Sequence, residues 1–207
     1  MSKSREFSAE AEAAFFGSYD GVPVHEKMIK DDIRTRSYLT AIEDNAHLFR
    51  DKVVLDIGTG TGILSMYVAV LVAAQVESLT SVNRFCVRAG ARHVYATDVS
   101  NMIQNARKIA AANGMSNKIT FIQGKVEDAA LPPIDVIVSE WMGFCLLSEI
   151  MLDCLLQARD QFLVPGGLLF PDRVSAYIAG IEDAGRIDSK VTCKSILRKG
   201  RAIAPVC

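Results

Sequence analysis

Val53-Val54-Leu55-Asp56-Ile57-Gly58-Thr59-Gly60-Thr61-Gly62-Ile63-Leu64-Ser65 is the stretch on which the reading of this chain turns. An apolar run ends in an acid, glycine then alternates three times, and an apolar helical pattern begins. A short continuous apolar run reads as a parallel strand buried on both faces. The glycines permit a sharp turn and let a ligand approach the backbone with no Cβ in the way. Doubly wound α/β folds build a nucleotide site in this manner, at the carboxyl end of the first strand. The dinucleotide fingerprint G-x-G-x-x-G would need glycine where Ile63 stands. Asp56, two residues before Gly58, suits a cationic or hydroxyl-bearing ligand and would repel a pyrophosphate. A glycine turn holding no ligand is the alternative, and a dehydrogenase is the weaker one.

The 207 residues fit one α/β domain with at most a short appendage. Half of them are hydrophobic, enough for a substantial core. The 23 basic and 24 acidic residues leave a formal charge of −1, which argues against a global nucleic-acid or anionic-membrane surface. Cys86, Cys145, Cys154, Cys193 and Cys207 form no C-x-x-C pair, and no metal is expected. With no secretory leader visible, these cysteines read as reduced thiols of a cytoplasmic or nuclear protein. The apolar run 63–76 is too short to span a membrane and contains Ser65 and Gln75.

Outward from the glycine turn, strands and helices alternate, which predicts a mostly parallel sheet. Residues 1–14 are expected to be mobile, and a helix is expected from His25 to about Asp44, with Arg34 on it among polar residues. After Val53–Leu55 and a helix from Gly62 to beyond Val70, strands are expected at His93–Asp98, Ile119–Ile122, Ile134–Ser139 and Leu168–Pro171. Helices are expected at Asn101–Asn113 and up to Phe162, and Pro165-Gly166-Gly167 reads as a turn. Asp98 closes the second strand, where a carboxylate can accept both ribose hydroxyls of a nucleoside. It lies 42 positions after Asp56, against the roughly 20 usual between glycine turn and acid. Glu127, in an acidic loop after the third strand, could accept from an exocyclic amine of the base, or belong to a surface charge cluster.

Glu140 ends the fourth strand, where open α/β sheets hold ligands, and Glu149 follows nine residues later. A hairpin between them can bring both carboxylates to one point. Two ionised carboxylates suit a guanidinium, which is planar, carries five N–H donors and keeps its proton. They would fix its plane and draw positive charge onto the nitrogens they hold. The alternative is structural: Glu149 complements a helix N-terminus and Glu140 caps a strand.

Ser139-Glu140-Trp141-Met142-Gly143-Phe144, with Glu149 after it, resembles the double-E loop of the protein arginine N-methyltransferases. Val53–Ser65 resembles motif I of class I S-adenosylmethionine (AdoMet) methyltransferases, and Phe170-Pro171-Asp172-Arg173 resembles the arginine enzymes' F-P-D-R. His25-Glu26-Lys27-Met28-Ile29, with Asp32-Ile33-Arg34-Thr35 after it, is similar to their H-E-x-M-L segment and its sequel. The resemblance runs from about Ala14 to Asp183 and is nearest to the type I enzymes. It implies a class I AdoMet-dependent Rossmann-like fold preceded by short helices, over residues 15–183. The activity implied is methylation of protein arginines to ω-N-monomethyl and asymmetric dimethylarginine. By the same resemblance Glu140 and Glu149 hold the acceptor guanidinium, Arg34 pairs with the AdoMet carboxylate and His25 lines the cofactor site. Gly58 and its neighbours Asp56 and Gly60 border the methionine portion, Asp98 takes the ribose and Glu127 the adenine amine. Met28 and Met142 match methionines that shape room for a second methyl, and Tyr19 matches the second tyrosine of the lid. Arg/Gly-rich protein segments and a dimer partner are the implied partners, with no nucleic acid and no membrane.

Four departures stand out. Phe15 replaces the lid's first tyrosine, and Asp98 replaces the usual glutamate, shortening its reach by one methylene. Residues 70–87 interrupt the pattern and fit no expected element; they either extend the helix and loop out or, the favoured reading, are intron sequence retained in the gene model, which finding these codons in the transcript would reject. Residues 184–207 match no part of the family, whose β-barrel domain is expected to be absent. A catalytically incomplete AdoMet-binding fragment or regulatory isoform, associating with a full-length enzyme, is therefore the second reading.

Overall fold

A computed structural model describes residues 9–69, 90–143, 146, 147, 151–180 and 182. The chain divides into two compact units, Met1–Val174 and Ser175–Cys207. The division falls short of the limit expected at residue 183. Of the second unit, the described residues are exposed and carry no regular secondary structure. The interruption at 70–87 and the tail 184–207 lie outside the described residues.

The first unit is a five-stranded sheet in the order β3-β2-β1-β4-β5, parallel at every pairing. Its strands are β1 (Val53–Ile57), β2 (His93–Asp98), β3 (Ile119–Gln123), β4 (Ile134–Ser139) and β5 (Leu163–Phe170). All five residues of β1 are buried, Asp56 among them, as a central parallel strand covered on both faces requires. Each apolar side chain sealed there contributes roughly 1.5–3 kcal/mol of transfer free energy. Val54, Val94 and Val138 pack with Leu39, Ile42 and Phe49 in one core cluster. Val53, Leu55, Ile57 and Ile137 pack with Trp141 and Leu155 in the other. The alternation along β1 thus divides one strand between two cores.

Seven helices accompany the sheet among the described residues: α1 (Ala9–Gly17), α2 (Val22–Ile29), α3 (Asp32–Asp44), α4 (Ala46–Phe49), α5 (Ile63–Ala69), α6 (Ile103–Ala112) and α7 (Met151–Phe162). None is long and apolar enough to cross a membrane. Three expectations change. Helix α1 begins inside the segment expected to be mobile. The single helix expected from His25 to Asp44 is two, because the Asp31 carboxylate accepts the Arg34 backbone N–H at 3.1 Å and starts α3 afresh. Pro165-Gly166-Gly167 lies within β5, where its pairing with β4 shifts register between Ile134 and Val136.

Candidate active site

The glycine turn joins β1 to α5 and forms the floor of a cavity of about 200 Å³. Gly58, Gly60 and Gly62 all take positive φ, +71°, +53° and +84°, so the alternating glycines answer a backbone that L side chains rarely adopt. At Gly58 a Cβ would run into the Met151 methyl, and at Gly60 it would lie 3.1 Å from the His25 ring. The floor is therefore in contact with its surroundings and has no room for side chains. The Gly58 and Thr59 N–H groups both donate to the Thr97 carbonyl of β2, at 2.9 and 3.0 Å.

Two acids organise this floor. Asp56 is fully buried; its Oδ2 accepts from the Thr59 and Ser65 hydroxyls, each at 2.7 Å. Burial pushes its carboxyl up to about 6, although those hydroxyl bonds pull the other way. Asp56 does not line the cavity. The expectation of a cofactor-side acid is corrected here: its Oδ2 holds the turn, and its Oδ1 is buried away from the cavity with no hydrogen-bond partner. Asp98 does line the cavity. Its Oδ2 accepts from the Gly60 N–H at 2.7 Å, and its Oδ1 from the Ser100 N–H and hydroxyl at 2.8 and 2.6 Å. A carboxylate has about four acceptor positions, so Asp98 retains room for one more hydrogen bond where two ribose hydroxyls were expected.

A wall beside this floor comes from α3 and the end of β4, whose Ser139 pairs with Ile57 next to the glycine turn. The cap at Asp31 places Arg34 and Tyr38 one turn apart, on one face of α3. Arg34 Nη1 donates to Glu140 Oε2 at 2.6 Å, and the Tyr38 hydroxyl donates to the Ser139 carbonyl at 2.9 Å. Burial, with the neighbouring Glu140 carboxylate, raises the Tyr38 phenol far above its usual range, so it keeps the proton it donates. The Met142 N–H reaches Glu140 Oε1 at 3.3 Å. Glu140 thus arrives at the cavity fixed on both oxygens. Its expected companion, Glu149, lies outside the described residues.

Over the top lies the N-terminal segment. Phe15 and Tyr19 pack ring to ring at 5.3 Å. Buried His25 donates from Nε2 to the Tyr19 carbonyl at 2.7 Å, and Asp20 accepts the Asn101 N–H at 2.7 Å. Met28, Met142 and Glu127 also line the cavity. Glu127 Oε2 is buried with no hydrogen-bond partner, a polar acceptor left unmatched by the protein at this site. Except for Asp56 and the undescribed Glu149, the structure brings every residue picked out from the sequence to this one cavity. Sequence reasoning missed Tyr38, Met151 and Cys154, which also line it. The i, i+4 spacing of Tyr38 from Arg34 was the available signal for the first.

Known proteins are similar to this chain in sequence and in fold. A family model described as a methyltransferase domain matches residues 48–193. Protein arginine N-methyltransferase 1 of Schizosaccharomyces pombe is 49% identical over 191 residues, which make up 91% of this chain and 51% of that protein. The Saccharomyces cerevisiae protein of the same name is 45% identical, over 88% of this chain and 48% of its own length. The protein arginine methyltransferase 1 enzyme–prozyme heterotetrameric complex of Trypanosoma brucei, solved with AdoHcy, superposes with a TM-score of 0.68 at 42% identity. That match covers 84% of this chain and 49% of that one. Arabidopsis thaliana protein arginine methyltransferase 10 superposes with a TM-score of 0.64 at 38% identity, over 74% and 39%. The chain spans about half the length of the curated relatives it matches. On its matched span the chain belongs to the methyltransferase-domain family, and its sequence and fold are similar to those of protein arginine N-methyltransferases over about half of their length.

Proposed function

We propose that this chain carries out AdoMet-dependent methyl transfer to arginine guanidino nitrogens of proteins. The observation that carries the reading is the meeting, in one cavity, of a glycine turn and a carboxylate already oriented at the end of β4. The residues fit the cofactor. Glu127 presents an unpartnered acceptor, as an exocyclic amine requires, and Gly58 and Gly60 add no Cβ of their own to the lining. Arg34, touching Glu140 through one nitrogen, has further N–H donors for a carboxylate. When bound, AdoMet supplies an electrophilic methyl on a sulfonium.

The chain's own residues supply position and charge. Glu140 accepts N–H bonds from the acceptor guanidinium and fixes its plane. It draws positive charge onto the nitrogen it holds, leaving electron density on the one turned to the methyl. The remaining acceleration comes from holding the reactants in line. Phe15, Tyr19, Met28 and Met142 keep the cavity largely apolar and exclude water. Arg/Gly-rich segments are the proposed substrates, and the heterotetrameric relative supports a proposal of oligomeric assembly. A cytoplasmic or nuclear location completes the reading, and imaging of a tagged chain checks it.

The test is transfer of labelled methyl from AdoMet to an Arg/Gly-rich peptide, by this chain and by Glu140→Gln. Transfer that disappears in the variant supports the reading. AdoMet binding with no transfer by the parent selects the second reading, a cofactor-binding module that associates with a complete enzyme. Neither binding nor transfer overturns both.

A further inference from the structure

Asp98 ends β2 at the cavity with most of its carboxylate already occupied. Its Oδ1 accepts twice from Ser100, from the N–H at 2.8 Å and from the hydroxyl at 2.6 Å. The first of these bonds is the turn that a short acid side chain closes on its own backbone two residues on, and that a longer glutamate does not. Its Oδ2 accepts the Gly60 N–H at 2.7 Å. Each carboxylate oxygen has two acceptor positions, so Oδ1 is filled and Oδ2 has one position left. These donors are held in place. Gly60 sits in the glycine turn at φ +53°, and Ser100 is only 3% exposed, which leaves Asp98 as the partner of its hydroxyl. The Asp98 backbone is fixed as well, its carbonyl accepting the Gly124 N–H at 2.9 Å.

A ribose presents two neighbouring hydroxyls, and a carboxylate that takes both needs a free position for each. We propose that Asp98 reads one ribose hydroxyl only, so that this cavity accepts an adenine nucleoside lacking the other almost as well as the complete ribonucleoside. This rests on the function proposed above, with the ribose of the cofactor at Asp98. Ser100 sets the limit without touching the nucleoside: its hydroxyl occupies an acceptor position that the second ribose hydroxyl would need. A glutamate at position 98 would carry its oxygens one methylene further, past the Ser100 N–H, and would recover a position for each hydroxyl.

Calorimetry on the full chain with S-adenosylhomocysteine and its 2′-deoxy and 3′-deoxy analogues tests this. The parent is expected to bind one analogue within about two-fold of S-adenosylhomocysteine and the other roughly ten-fold or more weaker, the cost of one hydrogen bond to a charged group. Ser100→Ala empties a position on Oδ1, and is expected to bring a penalty of about five-fold or more against the analogue that the parent tolerates. Asp98→Glu carries the same prediction, should the alanine variant not fold. A merely structural Ser100 would weaken all three nucleosides together and leave their ratios unchanged, which overturns its part in the selection. So does a Ser100→Ala protein that evens the ratios, because Ser100 would then itself hold a ribose hydroxyl. A parent that binds S-adenosylhomocysteine and loses both analogues, or neither, overturns the one-hydroxyl reading and leaves the proposed function standing. A parent that binds none of the three overturns the proposed function, and this reading falls with it.

Discussion

The floor of the cavity and the wall beside it are both made of charged and hydroxyl groups, yet they are assembled over different lengths of chain. In the floor, Thr59 and Ser65 reach Asp56 from three and nine residues away, and Gly60 reaches Asp98 from 38. In the wall, Arg34 meets Glu140 across 106 residues and Tyr38 meets Ser139 across 101. The floor's acids are largely consumed by the protein: Asp56 is sealed, and Asp98 accepts three hydrogen bonds. The wall keeps donors in reserve on Arg34. A region that holds its shape and a region with hydrogen-bonding capacity in reserve thus meet side by side in one cavity. Substitutions in the floor should register as lost stability, and substitutions in the wall as lost function.

Asp56 gives the largest expected effect. Asp56→Ala strands two buried hydroxyls and should lower the unfolding free energy by about 3 kcal/mol or more, read by denaturant titration. Asp56→Asn keeps an acceptor for those hydroxyls and removes the titration. In the parent the folded carboxyl, at about 6, lies above its ordinary value of 3.8. The folded state therefore binds a proton more readily than the unfolded one, and this group's contribution to stability falls as pH rises through that window. The span is worth on the order of 3 kcal/mol. Between pH 4 and 6 that slope should be present in the parent and missing from Asp56→Asn; equal slopes in the two proteins would remove Asp56 as its source.

Gly58→Ala comes next. The left-handed backbone and the collision with Met151 should together cost about 2 kcal/mol. Pairing it with Met151→Ala should return the steric part and leave the backbone part, and a double-mutant cycle of unfolding free energies separates the two. Tyr38→Phe should have the smallest effect on stability, about 1 kcal/mol for one lost hydrogen bond. It should lower kcat for methyl transfer while leaving S-adenosylhomocysteine affinity unchanged, because it releases the residue beside Glu140. If Tyr38→Phe destabilises as much as Asp56→Ala and spares kcat, the contrast between floor and wall collapses.

Much of the floor was readable in one dimension. Alternating glycines, the apolar run before them and the acid ending β2 are local patterns, and their roles follow from backbone geometry within a few residues. The family resemblance tipped the open readings of Arg34, Glu127 and Glu140 toward the cofactor and the acceptor. Two local readings failed where a local signal competes with a tertiary one. Pro165-Gly166-Gly167 spells a turn, but pairing with β4 draws it into β5. Residues Lys30 and Asp31 continue a helical pattern, but the Asp31 side chain caps a new helix.

The sequence by itself therefore determined the parallel α/β architecture, the glycine turn and the presence of Arg34, Asp98, Glu127 and Glu140 around the cavity, since these depend on periodicity and on short motifs. Only the tertiary structure decided how the acids are used. Whether a carboxylate binds a ligand or the protein depends on which donors lie within about 3 Å of it, and those donors come from segments far apart in the chain. Asp56 therefore became a buried anchor, Asp98 a brace between β2 and the glycine turn, and Glu140 the partner of an arginine from α3.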